Sequence, residues 1–159
     1  EFRRVLFRSA PGGVADGGKC RKFLYIGRLH PLKGVDCLVA ALPEGASLEI
    51  IGRDNGEEAK LRKIARFTGK NVSFRGVVNE EEKRKSLASC DCLVLPTLSE
   101  NYGLVIAEAL AAGKIAVTTD GAKIWANHPR VRYIEGFVAA DGKTRISLLK
   151  EVLEQLMNG

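Results

Sequence analysis

From residue 22 onward, short runs that are almost wholly apolar alternate with stretches of helical spacing. Phe23-Leu24-Tyr25-Ile26, Leu48-Glu49-Ile50-Ile51, Val72-Ser73-Phe74, Cys92-Leu93-Val94-Leu95 and Ile115-Ala116-Val117-Thr118 read as five strands, and Val131-Arg132-Tyr133-Ile134 as a sixth. Between the first two, residues 34–42 place Val35, Leu38, Val39 and Leu42 on one stripe, and Pro43 stops the helix. Residues 57–67 form a charged helix with Leu61, Ile64, Ala65 and Thr68 facing inward. Residues 80–88 form a polar helix opened by Asn79, a good N-cap. Residues 104–112 are an apolar helix ended by Gly113, and residues 146–157 a closing helix with Leu148, Leu149, Val152, Leu153 and Leu156 on its apolar side. Buried strands alternating with helices mean a parallel sheet covered on both faces. The predicted fold is a doubly wound α/β domain, without internal repeats.

The size agrees: 159 residues make one domain with a sizeable core. With 45% hydrophobic and 28% charged residues, the chain is neither disordered nor a disulfide-dense mini-protein. No apolar run approaches 18 residues, so no membrane span is predicted.

The net charge of +6 hints at nucleic acid, but its distribution argues against it. Residues 1–22 hold Arg3, Arg4, Arg8, Lys19, Arg21 and Lys22 against Glu1 and Asp16, so little positive charge remains for the folded part. A nucleic-acid binder needs a basic stripe on a folded face with aromatics for stacking, and aromatics here are only 6%. No nucleic-acid partner is expected. The four cysteines, Cys20, Cys37, Cys90 and Cys92, lack the spacing of a zinc or dithiol site. They read as buried free thiols in a reducing cytoplasm.

The chain begins without Met, and Glu1-Phe2 is what an in-frame EcoRI site encodes. Residues 1–18 therefore read as a linker or cloning-derived leader, and 19–159 as the domain. A signal peptide is the rival reading, but its apolar run, Val5-Leu6-Phe7, is too short.

Doubly wound sheets bind ligands beyond the carboxyl ends of their strands, which directs attention to the loops there. After strand one, Gly27-Arg28-Leu29-His30-Pro31-Leu32-Lys33-Gly34 puts two cations in a turn that feeds a helix, a workable anion site. The alternative is a pair of solvated cations. It is neither a Walker A loop nor G-x-G-x-x-G. After strand two, Gly52-Arg53-Asp54-Asn55-Gly56 lets a ligand approach the backbone at Gly52, or is a plain turn with a helix cap.

The loop after strand four is the most informative. It runs Pro96-Thr97-Leu98-Ser99-Glu100-Asn101-Tyr102-Gly103-Leu104 into the apolar helix. The backbone N–H groups of residues 101–105 would point out of that helix's first turn, where a diphosphate meets donors and a positive dipole end. Glu108 stands in LVIAEALAAG, where nearly everything else is apolar or small. A carboxylate there needs a partner: a ligand's hydroxyl groups, or a neighbouring Lys or Arg. Trp125 reads as a core anchor or a sheet-edge cover, and His128 as a surface-turn residue.

In order, G-R-L-H-P-L-K-G-V-D, L-E-I-I-G, V-S-F-R-G-V-V and P-T-L-S-E-N-Y-G-L-V-I-A-E-A-L-A-A-G-K-I-A-V-T-T resemble the C-terminal half of glycosyltransferase family 4. The resemblance covers roughly residues 22–157, and its most specific part is the Glu-x7-Glu element, Glu100 and Glu108. Members are retaining enzymes of GT-B type, built from two Rossmann-like domains, so the resemblance implies a Rossmann-like, mostly parallel sheet as one half of that architecture. It implies donor-diphosphate contacts by Arg28 and Lys33, which stabilise charge on the leaving nucleotide. It places Glu100 near the donor-sugar hydroxyls and Glu108 on the ribose hydroxyls. It implies that the backbone at Asn101, Tyr102, Gly103 and Leu104 cradles sugar and phosphate. Val77 and Val78 would hold the base, and Gly27, Gly52 and Arg53 would line the same cleft.

Two cations and a helix N-terminus can neutralise a departing nucleoside diphosphate without metal, and no Asp-x-Asp is present. No cofactor and no obligatory metal are expected. The resemblance further implies a partner domain, the N-terminal acceptor-binding half, which this sequence does not contain. Any peripheral membrane association would run through that half. The expected function is donor binding for transfer from a nucleoside-diphosphate sugar to a glycan or glycolipid acceptor in the cytoplasm, with cell-envelope glycan synthesis as the setting. The fragment alone would bind donor without transferring. The alternatives are a non-catalytic nucleotide or sugar-nucleotide binding module and a sugar-nucleotide epimerase of the same architecture.

Overall fold

The computed structural model describes residues 19–159, so the expectation for the leader falls outside the described residues. Six parallel strands form one sheet: β1 (Lys22–Ile26), β2 (Ser47–Ile51), β3 (Asn71–Gly76), β4 (Cys92–Leu95), β5 (Ile115–Thr119) and β6 (Val131–Ile134). Their order is β3-β2-β1-β4-β5-β6. Five helices connect and close it: α1 (Val35–Ala41), α2 (Glu58–Thr68), α3 (Glu80–Ser89), α4 (Leu104–Ala111) and α5 (Gly142–Asn158). The predicted doubly wound α/β fold is the one observed.

The chain first winds outward from β1 to β3, then jumps back to β4 and winds the other way. Right-handed crossovers of opposite direction put their helices on opposite faces. Accordingly α1 packs against both α2 and α5, while α3 contacts β1 and α4 contacts β4 and β5. The central strands are covered on both sides: Phe23, Leu24, Tyr25 and all of β4 are buried. Burial of each large apolar side chain contributes roughly 1.5–3 kcal/mol. The edge strand β3 alternates instead, with Val72 and Phe74 packed against the core and Asn71, Ser73 and Arg75 exposed.

Side-chain N-caps open α3 and α5. Asn79 accepts a hydrogen bond from the Glu82 N–H, as predicted. Asp141 accepts one from Thr144 N–H, which starts α5 a turn before its apolar stripe begins. Thr68 faces outward, contrary to expectation, and its hydroxyl donates to the Ile64 carbonyl of its own helix. The β5–β6 connection is a 3₁₀ segment, Asp120–Trp125, rather than an α-helix.

All four cysteines are buried and unbridged. Burial pushes the Cys37 and Cys90 thiols up to about 11 and raises Cys92 strongly. Among the described residues no helix is long and apolar enough to cross a membrane.

Candidate active site

The sheet order reverses between β1 and β4, so their loops diverge at the carboxyl edge and leave a crevice. An open cleft of about 430 Å³ occupies this point. It is lined by Tyr25, Gly27, Arg28 and Lys33 from the first strand and loop, and by Glu100, Asn101, Tyr102, Gly103, Leu104 and Val105 from the fourth loop and helix.

Each wall is built by local chemistry. In the first loop, His30 Nδ1 accepts from the Leu32 N–H at 3.1 Å, starting a 3₁₀ turn over Pro31–Lys33 that projects Lys33 inward. The chain then enters α1 through Gly34, whose φ is 64° and where a Cβ would collide with the Pro96 carbonyl. That contact seats the first loop on the fourth. Leu98 N–H donates to the Leu32 carbonyl at 2.8 Å, joining them again. The fully buried Tyr25 donates its hydroxyl to the Arg28 carbonyl at 2.7 Å, and burial, helped by Glu100, pushes the phenol up.

The fourth loop is held from its other side. Glu100 N–H donates to the Gly121 carbonyl at 3.0 Å, and the Thr119 hydroxyl donates to the Thr97 carbonyl. Trp125 Nε1–H donates to the Tyr102 carbonyl at 2.7 Å. The half-buried Trp125 is thus a strut for the loop rather than only a core anchor. His128 lies edge-on to Trp125 and accepts the Arg130 N–H, a structural role away from the cleft. The first backbone bond of α4 runs from Ile106 N–H to the Gly103 carbonyl, so the amides before it have no partner inside the helix.

Charge is balanced across the cleft. Lys33 Nζ lies 2.6 Å from Glu100 Oε2, with both side chains mostly buried. Arg28 is exposed beside this pair, and no acidic partner takes its guanidinium among the described residues. The cleft therefore offers one free cation, one cation held by a carboxylate, and a helix N-terminus. That combination suits an anion that also carries hydroxyl groups.

Eight of the sequence-expected residues meet in this cleft: Gly27, Arg28, Lys33, Glu100, Asn101, Tyr102, Gly103 and Leu104. Gly52, Arg53, Val77, Val78 and Glu108 do not line it, though all but Glu108 sit at the same carboxyl edge. The Arg53 carbonyl accepts the Leu29 N–H, which ties the second loop to the first. Gly52 is needed for protein packing: its φ is 146°, and a Cβ would run into the Gly27 carbonyl. Asp54 accepts from the N–H groups of Gly56, Glu57 and Glu58 and so caps α2, in line with the plain-turn reading of that loop.

Glu108 is half-exposed, and one of its carboxylate oxygens, Oε2, is paired with Lys83 Nζ at 2.7 Å. Lys83, Tyr25, His30 and Trp125 all shape this region without having been singled out as site residues. Of these, only His30 had a local signal, as a polar residue before Pro31 at the start of a turn.

The chain is 35% identical over 108 residues to the phosphatidyl-myo-inositol mannosyltransferase of Mycolicibacterium smegmatis, covering 63% of this chain and 28% of that protein. It is 34% identical over 127 residues to the uncharacterized glycosyltransferase MJ1607 of Methanocaldococcus jannaschii, covering 74% of this chain and 30% of that protein. It thus spans less than a third of the length of these curated relatives. Among solved structures, WaaG, a glycosyltransferase involved in lipopolysaccharide biosynthesis, superposes with a TM-score of 0.68 at 25% identity, covering 89% of this chain and 40% of that one. The profile of the family described as glycosyl transferases group 1 matches residues 20–158, and the chain belongs to that family.

Proposed function

We propose that the chain is the C-terminal, donor-binding half of a retaining GT-B glycosyltransferase, and that the β1/β4 cleft holds a nucleoside-diphosphate sugar. The observation that carries this reading is the convergence of Arg28, Lys33, Glu100 and the start of α4 at the point where the strand order reverses. The diphosphate lies against the α4 N-terminus and Arg28, and it takes Lys33 from Glu100. The freed Glu100 carboxylate then accepts hydroxyls of the sugar. As the glycosyl bond breaks, charge grows on the diphosphate, and the two cations and the helix end stabilise it without rearranging. Glu100 positions the sugar and need not attack it. Glu108 accepts ribose hydroxyls, Val77 and Val78 flank the base, and Gly52 and Arg53 close that side.

In this reading residues 19–159 bind the donor, and the acceptor is held by a second, N-terminal domain of the enzyme. Exposed Leu32, Val77, Tyr102, Leu104 and Ile124 all follow carboxyl ends of strands, an apolar rim suited to such a domain. A glycolipid acceptor fits the name of the mannosyltransferase that the chain resembles.

A thermal-shift screen against UDP, GDP, ADP, CMP and their sugar conjugates, with Glu108→Ala as control, tests this reading. A ligand at 100 times its Kd adds about 2.7 kcal/mol of stability. Stabilisation of the wild type by one diphosphate, reduced in the control, is expected. No stabilisation by any of them overturns donor binding by this chain.

A further inference from the structure

We propose that Lys83, on α3, is a positioning residue that sets how strictly the site demands a ribose. The inference rests on the reading of Glu108 as the ribose ligand and adds a residue to it.

Glu108 is the one charged residue of α4, whose sequence is LVIAEALA, so its own helix offers no counter-charge. The cation comes from another element: Lys83 Nζ lies 2.7 Å from Glu108 Oε2. Lys83 is well placed for this. Asn79 caps α3 through the Glu82 N–H, and Lys83 N–H donates to the Asn79 carbonyl at 3.0 Å, so the first turn is fixed. The Lys83 side chain is only 21% exposed, and its other acidic neighbour, Glu80, is 3.9 Å away and 80% exposed. Glu108 is therefore its main partner.

A carboxylate has two oxygens, and this pair engages one of them. With Oε2 held by Lys83, rotation about the terminal torsion of Glu108, otherwise broad, is restricted. Oε1 is then presented in one direction, ready to accept a hydroxyl. Hydroxyl recognition by a pre-aimed acceptor discriminates against the deoxy ligand, and recognition by a freely turning one does so less. Lys83 thus acts through Glu108 and need not touch the ligand.

The test uses the full chain and the tightest-binding of UDP, GDP and ADP, together with its 2′-deoxy and 3′-deoxy counterparts. The readout is the ratio of deoxy to ribo Kd, measured by calorimetry, with circular dichroism to show that each variant is folded. Glu108→Gln is expected to abolish the preference for one of the hydroxyls. Lys83→Met should lower that same preference about fivefold, as expected for one misdirected charge-assisted hydrogen bond. Lys83→Arg should restore most of it, and Lys83→Met should add little on top of Glu108→Gln. If Lys83→Met does not fold, Lys83→Gln takes its place. An intact preference in the folded Lys83 variant, with loss in Glu108→Gln, overturns the role of Lys83 and leaves the ribose role of Glu108 standing. An intact preference in Glu108→Gln, or no binding of any of the three nucleotides, overturns the underlying reading and this inference with it.

Discussion

Lys33 and Glu100, 67 positions apart in sequence, form a 2.6 Å charge-assisted hydrogen bond across the mouth of the cleft. Each is the other's counter-ion in a partly buried setting, where an unpaired charge would be costly. A bound phosphate can replace Glu100 as the partner of Lys33, and a sugar hydroxyl can satisfy the released carboxylate. Lys33→Ala is therefore expected to weaken binding of a nucleoside diphosphate by about tenfold, in line with loss of a charge-assisted contact, and to leave binding of the bare nucleoside nearly unchanged. Calorimetric titration of both ligands checks this, and equal weakening of the two would remove Lys33 from the diphosphate site.

Trp125 is the single tryptophan, and its indole N–H holds the Tyr102 carbonyl at the cleft wall. Its emission should therefore shift and saturate as a nucleoside diphosphate is titrated in. Trp125→Phe keeps most of the ring packing and loses the hydrogen bond, with an expected stability loss of about 1 kcal/mol. An unchanged emission spectrum at saturation, with binding shown independently, would mean that the 101–105 loop does not respond to the ligand.

At Gly34 the left-handed backbone and the Pro96 carbonyl act together. Gly34→Ala must strain its own φ and push the first loop away from the fourth. A stability loss of about 3 kcal/mol is expected, from the named mechanisms of backbone strain and overpacking. Urea denaturation measures it. A loss no larger than that of an ordinary surface substitution would contradict the described seam between the loops.

Asp54 accepts three backbone N–H bonds at the start of α2, which hold its carboxyl below the ordinary value. Its folded value is depressed, so its contribution is fully present above the unfolded value, near ~3.9, and is lost as pH falls through the folded value. Asp54→Ala should lower the Tm at pH 7, and the gap from wild type should close as the pH drops below that range. Paired melting curves across the acid range check it. A gap that stays constant with pH would show that the ionised carboxylate is not the stabilising form.

The strand and helix positions were legible from sequence because their causes are local. Apolar runs such as Cys92–Leu95 carry the sheet, a 3.6-residue stripe carries α5, and Asn79 carries the start of α3. The early start of α5 was missed because its first turn depends on the Asp141 cap and not on the apolar stripe, and Thr68 was misplaced because a stripe does not tell where the core stops covering it.

The sequence by itself determined a doubly wound sheet, the family, and the cleft wall from Glu100 to Leu104, since each follows from short-range patterns or an uninterrupted motif. Only the tertiary structure decided which polar groups meet. Lys33 finds Glu100, Lys83 finds Glu108, and Trp125 finds Tyr102, each through folding of segments far apart in the chain. Gly52 shows the same division from the other side. Its backbone freedom was readable, but its neighbour proved to be the Gly27 carbonyl, a close approach that exists only once β1 and β2 lie side by side.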